Sequence, residues 1–219
     1  MSRTRSPEDD AAHDGAGRAA RSLGRPRCFD REAVLSRALD VFWRRGYEPA
    51  SVAELCSAMG INPPSLYAAF GSKAGLFLAA VGFYERTYWA SCWQAMQQEP
   101  DVRRAIDVFF RDAAGVLLSP DAPCGCMVVL AAINVSPESS EVIAAVRQLR
   151  REAREHFQSR LARAVREGDL PPRSDVKSLA ITLNTLLEGM SIQAHDGVTL
   201  GELKRVASHA VRLLDQASA

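Results

Sequence analysis

From Asp30 onward, apolar side chains recur three and four positions apart, and the recurrence is broken only by short Gly-, Pro- and Ser-containing punctuation. That period is helical and nothing alternates as a strand would, so the chain reads as all-α. Asp30 caps a first helix in which Leu35, Leu39 and Phe42 recur beside Val34, Ala38 and Trp43, and Gly46 stops it. Ser51 opens a second, shorter helix with Val52, Leu55, Cys56 and Met59 on one face and Glu54 placed to complete a capping box, before Gly60. A third follows after Ile61 alone. Asn62 is its cap, and Pro63 and Pro64 occupy its first two positions, where a missing N–H is harmless because those donors have no partner inside the helix.

Two short helices joined by a tight glycine-containing turn, behind a longer amphipathic helix, describe a helix-turn-helix. In the third helix Leu66, Ala69 and Phe70 share one side and are expected to pack inward. Pro63, Pro64, Ser65, Tyr67 and Ala68 then look outward, a face of small or hydrogen-bonding groups that can approach a DNA groove closely, with Tyr67 able to donate to a phosphate. Ser72 caps a fourth helix whose first turn pairs Lys73 with free backbone N–H groups, both favourable to an anion.

The remainder also has helical spacing. The pattern predicts one helix from Ser72 to Met96, ended by Glu99-Pro100, and another from Asp101 carrying Ile106, Phe109, Phe110, Ala113 and Leu117 and closing near Pro120. The stretch CGCMVVLAAINV is apolar nearly all round and predicts a centrally buried helix. A long amphipathic helix runs from Ser139 to Gly168. Its arginines alternate with glutamates, the mark of a solvated face. In the last two helices Leu179, Leu183, Leu186, Leu187 and Met190, then Leu203, Val206, Ala210 and Leu213, make stripes wider than one neighbour covers, suited to a four-helix contact between two copies of the chain; packing within one domain is the alternative.

Composition narrows the function. The chain has 219 residues, 47% of them hydrophobic, and a formal net charge of only +1, so any nucleic-acid contact must come from local clustering. Residues 1–24 hold almost no large apolar side chains and are expected to form a disordered arm; basic residues Arg18, Arg21, Arg25 and Arg27 gather at its end. Five cysteines follow no secreted framework, there is no apolar leader, and the longest apolar run, Cys126 to Ile133, falls far short of the ~20 residues of a membrane span, so a cytoplasmic protein with no membrane partner is expected. Phosphate-binding loops, nucleophile elbows and zinc-protease motifs are missing from the sequence, and neither an enzyme nor a cofactor is expected.

Residues 25–73, GRPRCFDREAVLSRALDVFWRRGYEPASVAELCSAMGINPPSLYAAFGSK, resemble the DNA-binding domain of the TetR family of bacterial transcriptional regulators. The resemblance is carried by Phe42, Gly46-Tyr47, Ser51-Val52, Gly60-Ile61, Ser65-Leu66-Tyr67, Phe70, and Lys73 leading into Leu76-Phe77. It implies an N-terminal three-helix DNA-binding domain (25–73) and a larger helical ligand-binding and dimerisation domain (74–219), forming a homodimer that represses from a palindromic double-stranded operator and releases it when a small molecule binds. By the same resemblance Ser51 contacts phosphate, Asn62 to Tyr67 face the groove and Lys73 holds the backbone. Where many members carry a polar side chain this sequence has Pro63 or Pro64, which shifts specificity toward DNA shape and toward Arg25 and Arg27 in the minor groove.

For the effector, Trp89, Trp93, Phe109, Phe110, Met127 and Leu130 are the candidate lining of an apolar cavity suited to an apolar or aromatic molecule, with ordinary core packing as the alternative. Cys124 and Cys126, with Cys92 or His156, offer a second possibility, a response to a soft metal or to oxidants. A rival of another class is a helical ligand-binding or interaction module whose helix-turn-helix is inert.

Overall fold

The computed structural model describes residues 30–215; the expected arm over residues 1–24, and Arg25 and Arg27 with it, lie outside them. Among the described residues there are ten α-helices and no strand. The first three are α1 (Arg31–Arg45), α2 (Val52–Met59) and α3 (Pro63–Phe70). As the spacing predicts, α1 buries Val34, Leu35, Ala38, Leu39, Phe42 and Trp43, and Asp30 accepts the amide of Ala33 at its start. Ser51 accepts the amide of Glu54, but the reciprocal half of the expected capping box does not form, because the Glu54 carboxylate pairs with Arg45 at 3.3 Å. The α2–α3 turn needs Gly60, whose φ of 70° is a left-handed conformation that side chains with a Cβ adopt at a cost.

α4 (Lys73–Tyr84) is reached through Gly71 and Ser72, and the two helices meet so closely that a Cβ on Gly75 would lie 2.0 Å from the Phe70 carbonyl oxygen. α4 packs along α1, so the DNA-side core of Phe42, Tyr47, Leu55, Met59 and Leu66 is closed by Leu76 and Phe77. The single helix expected from Ser72 to Met96 is interrupted: a π-helical turn (Glu85–Trp89) separates α4 from α5 (Ala90–Gln98), with the Ala90 amide donating to the Glu85 carbonyl five residues back. The cause is visible in the side chains. Residues five apart on an α-helix are rotated by roughly 140°, whereas the wider turn brings the Tyr84 hydroxyl and Trp89 Nε1 within 2.7 Å.

α6 (Val102–Leu117), capped by Asp101, packs against α5 and α10 (Leu200–Arg212); α8 (Ser140–Glu167) packs against α9 (Val176–His195). The central helix expected from CGCMVVLAAINV is only the short α7 (Met127–Leu130), because its flanks spend their backbone groups on other elements: the Gly125 amide donates to Leu117 and the Ala131 carbonyl accepts from Tyr47. A 3-10 turn, Pro137–Ser139, leads into α8. No single helix among the described residues is long and apolar enough to cross a membrane.

The open C-terminal end of α5 is closed by α8. Arg160, fully buried, donates Nη2 to the carbonyls of Glu99 and Pro100 at 2.9 and 2.8 Å, and Arg163 donates to Gln97 and Glu99. Cations at a helix C-terminus are favoured by its dipole, and these guanidinium groups donate to carbonyls that the helix end leaves without an intrahelical partner. Arg160→Ala should therefore lower unfolding stability by about 1–3 kcal/mol in urea titration, with far-UV circular dichroism of the folded form unchanged; an unaltered midpoint would remove this clamp from the account.

Candidate DNA-binding surface and effector pocket

The proposed recognition helix is built from both ends. Asn62 Oδ1 accepts the Ser65 amide at 2.9 Å and Ser72 Oγ accepts the Gly75 amide at 2.9 Å, so two caps fix α3 and the start of α4 relative to each other. Leu66 is buried and Phe70 half-buried; Pro63, Pro64, Ser65 and Ala68 are exposed, and Tyr67 is 50% exposed. Ala69, expected inside, is exposed too, since the eight-residue helix rests on Leu66 as its one fully buried residue. Lys73 is not free-standing: Nζ donates to the Glu48 carbonyl at 3.0 Å and sits 4.5 Å from the Tyr47 ring centre, and partial burial lowers its pKa. An ammonium has three donors, so this anchoring aims the group and leaves two for a phosphate.

Behind this surface α1 is tied to the rest of the protein by aromatic rings. The Trp43 ring meets Tyr84 edge-on at 4.8 Å and Tyr88 at 5.4 Å, while its Nε1 donates to the Gly125 carbonyl at 3.1 Å. Glu48 makes a second tie, its Oε1 accepting the Ser136 amide at 2.7 Å.

Beyond Tyr84, the π turn, α5, α8 and α9 enclose a cavity of about 60 Å³. Trp89 and Trp93 line it as expected, with Val128, Val129, Leu149 and Leu187. The other candidates do not. Phe109, Phe110 and Met127 are fully buried core, Phe109 lying 4.4 Å behind the Trp93 ring, and Leu130 faces a different cleft beside Trp43 and His195. Helical spacing placed these side chains inward correctly but does not say which layer of the interior they reach.

The polar lining was missed: Glu85, Arg150, His156, Asn184 and Glu188 all reach the cavity. A signal existed for Asn184, a lone amide inside the apolar run of α9; Glu85 resembles any solvated glutamate until the π turn rotates it inward. His156 stacks on Trp93 at 4.8 Å, and Arg150 Nη2 donates to the carbonyls of Val128 and Val129 at 2.8 and 3.3 Å.

Among the described residues the cysteines do not assemble a metal site. Cys124 is exposed and Cys126 buried, and the described residues contain no group of three His, Cys, Asp or Glu side chains able to hold an ion. Burial pushes the Cys126 thiol up to about 11, which disfavours the thiolate that metal binding and oxidation both need. The stripes assigned to a subunit contact also divide: Leu183, Leu187, Met190, Leu203 and Ala210 are buried within this chain, and Leu179, Leu186, Val206 and Leu213 are half-buried against it. The outward side of α9 instead presents Ser178, Ile181, Thr182, Thr185 and Ile192, with Lys177 exposed at its N-terminal end.

Residues 34–80 match the family described as "Bacterial regulatory proteins, tetR family", and residues 102–210 match "Tetracyclin repressor-like, C-terminal domain". The chain is 35% identical over 194 residues to the HTH-type transcriptional repressor ComR of Escherichia coli K12, covering 88% of this chain and 92% of that one. It is 30% identical over 193 residues to the repressor BdcR of the same organism, covering 87% and 92%. A solved structure of the TetR family transcriptional regulator CifR, a cysteine mutant complexed with 26bp double-strand operator DNA, superposes with a TM-score of 0.82 at 42% identity, over 86% of this chain and 98% of that one.

Electrostatically the pocket is dominated by Glu85. Burial first, and then the charge of Glu152, raise its pKa from 4.5 to about 7. No described residue forms an ion pair with it. A carboxyl raised on folding contributes stability that is complete below its unfolded pKa and lost as pH rises through the folded one, here between about 4.5 and 7. Glu85→Gln should remove that loss: thermal unfolding of the variant should match the parent near pH 4.5 and exceed it increasingly toward pH 8, by on the order of 3 kcal/mol. A gap that stays constant with pH would show that Glu85 is not held neutral by its surroundings.

Proposed function

Because the chain belongs to the TetR family of bacterial transcriptional regulators, we propose that it is a homodimeric repressor that α3 and the start of α4 seat on a palindromic operator and that an effector in the α5–α8–α9 cavity releases. The observation that carries this reading is the continuity of one rod: α4, which holds Lys73 at the DNA surface, runs through the π turn directly into the wall of the cavity. ComR and BdcR are repressors, and CifR was solved on operator DNA, which supports the same direction of control. The site of action of such a regulator is the bacterial cytoplasm.

On DNA, Lys73 and the hydroxyls of Ser65 and Tyr67 supply backbone contacts, with the α3 prolines allowing a close approach. Ser51 and Asn62 act as caps that hold the surface, their side-chain oxygens already accepting amides at 3.1 and 2.9 Å. Arg25 and Arg27, ahead of α1, are assigned to the minor groove. In the dimer two recognition helices must meet grooves about 34 to 36 Å apart, and an effector releases DNA by its higher affinity for a dimer with another spacing. The surface assigned to the dimer is the exposed face of α9 that presents Ile181, Thr185 and Ile192.

Two measurements test this. In fluorescence anisotropy on DNA flanking the gene, Lys73→Ala should reduce the log–log salt slope by about one unit, whereas Tyr67→Phe should weaken binding about tenfold with the slope unchanged, since a neutral donor releases no counterion. If both variants bind as the parent does, this face is not the DNA surface. Separately, Ile181→Glu should convert the dimer to a folded monomer in light scattering and abolish cooperative operator binding; a persisting dimer would place the interface elsewhere.

A further inference from the structure

The cavity is richer in acceptors than in donors. Asn184 is 3% exposed, and its Nδ2 donates to Glu188 Oε1 at 3.0 Å. A carboxylate only accepts, so that bond fixes which end of the amide is which. The remaining atom, Asn184 Oδ1, is buried and has no donor. Glu85 borders the same cavity from the π turn, mostly buried and without an ion-pair partner among the described residues. A buried acceptor such as Asn184 Oδ1, left without a donor among the described residues, is costly unless a ligand donates to it.

Resting on the regulator reading for its consequence but not for its chemistry, we infer that this cavity binds a small apolar amine, its ammonium divided among Asn184 Oδ1, Glu188 and Glu85 and its hydrocarbon against Val128, Leu149 and Leu187. Three donors on one cation match these acceptors. An anionic ligand fits less well: Arg150, the cation of the cavity, is committed in part to the Val128 and Val129 carbonyls, and the charge that acts on Glu85 from α8 is that of Glu152. His156, also on α8, is pressed against Trp93, and burial lowers its pKa, so it adds no positive charge near neutrality. The other nearby groups are the buried Cys126 thiol ahead of α7 and the Tyr84 hydroxyl at the end of α4, both held protonated.

Size then links binding to movement. A cavity of about 60 Å³ is small, so a longer amine that fills it presses the π turn and α5 away from α8 and α9. A cation beside Glu85 also favours its ionised form, so binding releases protons wherever Glu85 is otherwise neutral.

The test uses the full chain, calorimetry and thermal shift, and three probes of equal length: n-butylamine, n-butanol and butyrate. Butylamine should raise the melting temperature and bind at least tenfold tighter than butanol, with butyrate weakest. At pH 6.5, titrations in two buffers of different ionisation enthalpy should show proton release by the parent and none by Glu85→Gln. Asn184→Leu, of nearly the same shape, should weaken butylamine at least tenfold and leave butanol unchanged. Butanol or butyrate binding as tightly as butylamine, no butylamine binding by folded protein, or unchanged amine affinity in both variants would each overturn the inference. Operator anisotropy on the same samples separates the two readings: amine binding without DNA release preserves the ligand class and overturns its role as effector, and failure to bind operator at all overturns the regulator reading alone.

Discussion

A buried polar chain of three aromatic residues organises the molecule. Trp89 Nε1 donates to the Tyr84 hydroxyl at 2.7 Å, the Tyr84 ring carries the edge of Trp43, and Trp43 Nε1 donates to the Gly125 carbonyl. Trp43 and Trp89 are buried and Tyr84 completely so, which makes each of these hydrogen bonds obligatory: an indole N–H or phenol without a partner there would forfeit its solvation with no return. The chain links α1, the α4–α5 rod and the segment ahead of α7. It also goes with the shape of the rod, because Tyr84 and Trp89 meet across the π turn that lies between them.

From that constraint follows the coupling of the two halves. Trp89 belongs at once to the aromatic junction and to the cavity wall, and Glu85 lies on the same turn. A π turn has a nearby alternative, the α-helical winding, which would rotate everything on one side of it relative to the other. In the proposed mechanism, a ligand wedged between α5 and α8 acts on this turn, whose two windings would be discrete arrangements. Glu48 sets the pivot at the other end: its carbonyl holds Lys73, and its carboxylate holds the Ser136 amide ahead of α8. The DNA-facing helices are thus held at two points, one aromatic and one polar.

Much of this was legible in the sequence, and the reasons differ by element. Local rules act within a few residues, so the caps at Asp30, Ser51, Asn62, Ser72 and Asp101, the glycine ends of α1 and α2, and the boundaries of α6 and α8 follow from the chain alone. What depends on a distant partner was not legible. The 126–133 stretch is apolar enough for a helix, yet Leu117 and Tyr47 claim backbone groups on either side of it and leave four residues helical. The π turn is invisible to a 3.6-residue period because its cause is a hydrogen bond between side chains. Of the aromatic residues assigned to the cavity, Trp89 and Trp93 reach it and Phe109 and Phe110 form the layer behind them, a distinction of depth that periodicity does not carry.

The same argument bears on α9, where three or four positions apart means one face but the identity of that face's neighbour is unspecified. Leu183, Leu187 and Met190 look inward with Asn184, which is why an amide appears in the middle of an apolar run. Ile181, Thr185 and Ile192 look the other way, and their β-branched side chains are exposed among the described residues. One helix therefore carries the acceptors of the cavity on one side and the surface assigned to the second subunit on the other. Pressure applied through Asn184 and Glu188 reaches the dimer contact without passing through the DNA-binding helices, while pressure on Glu85 reaches those helices through α4. In the proposed dimer, a ligand that engages all three acceptors would act on both at once, and the separation of two recognition helices would depend on both: on how each head sits on its rod, and on how the two rods are set against each other.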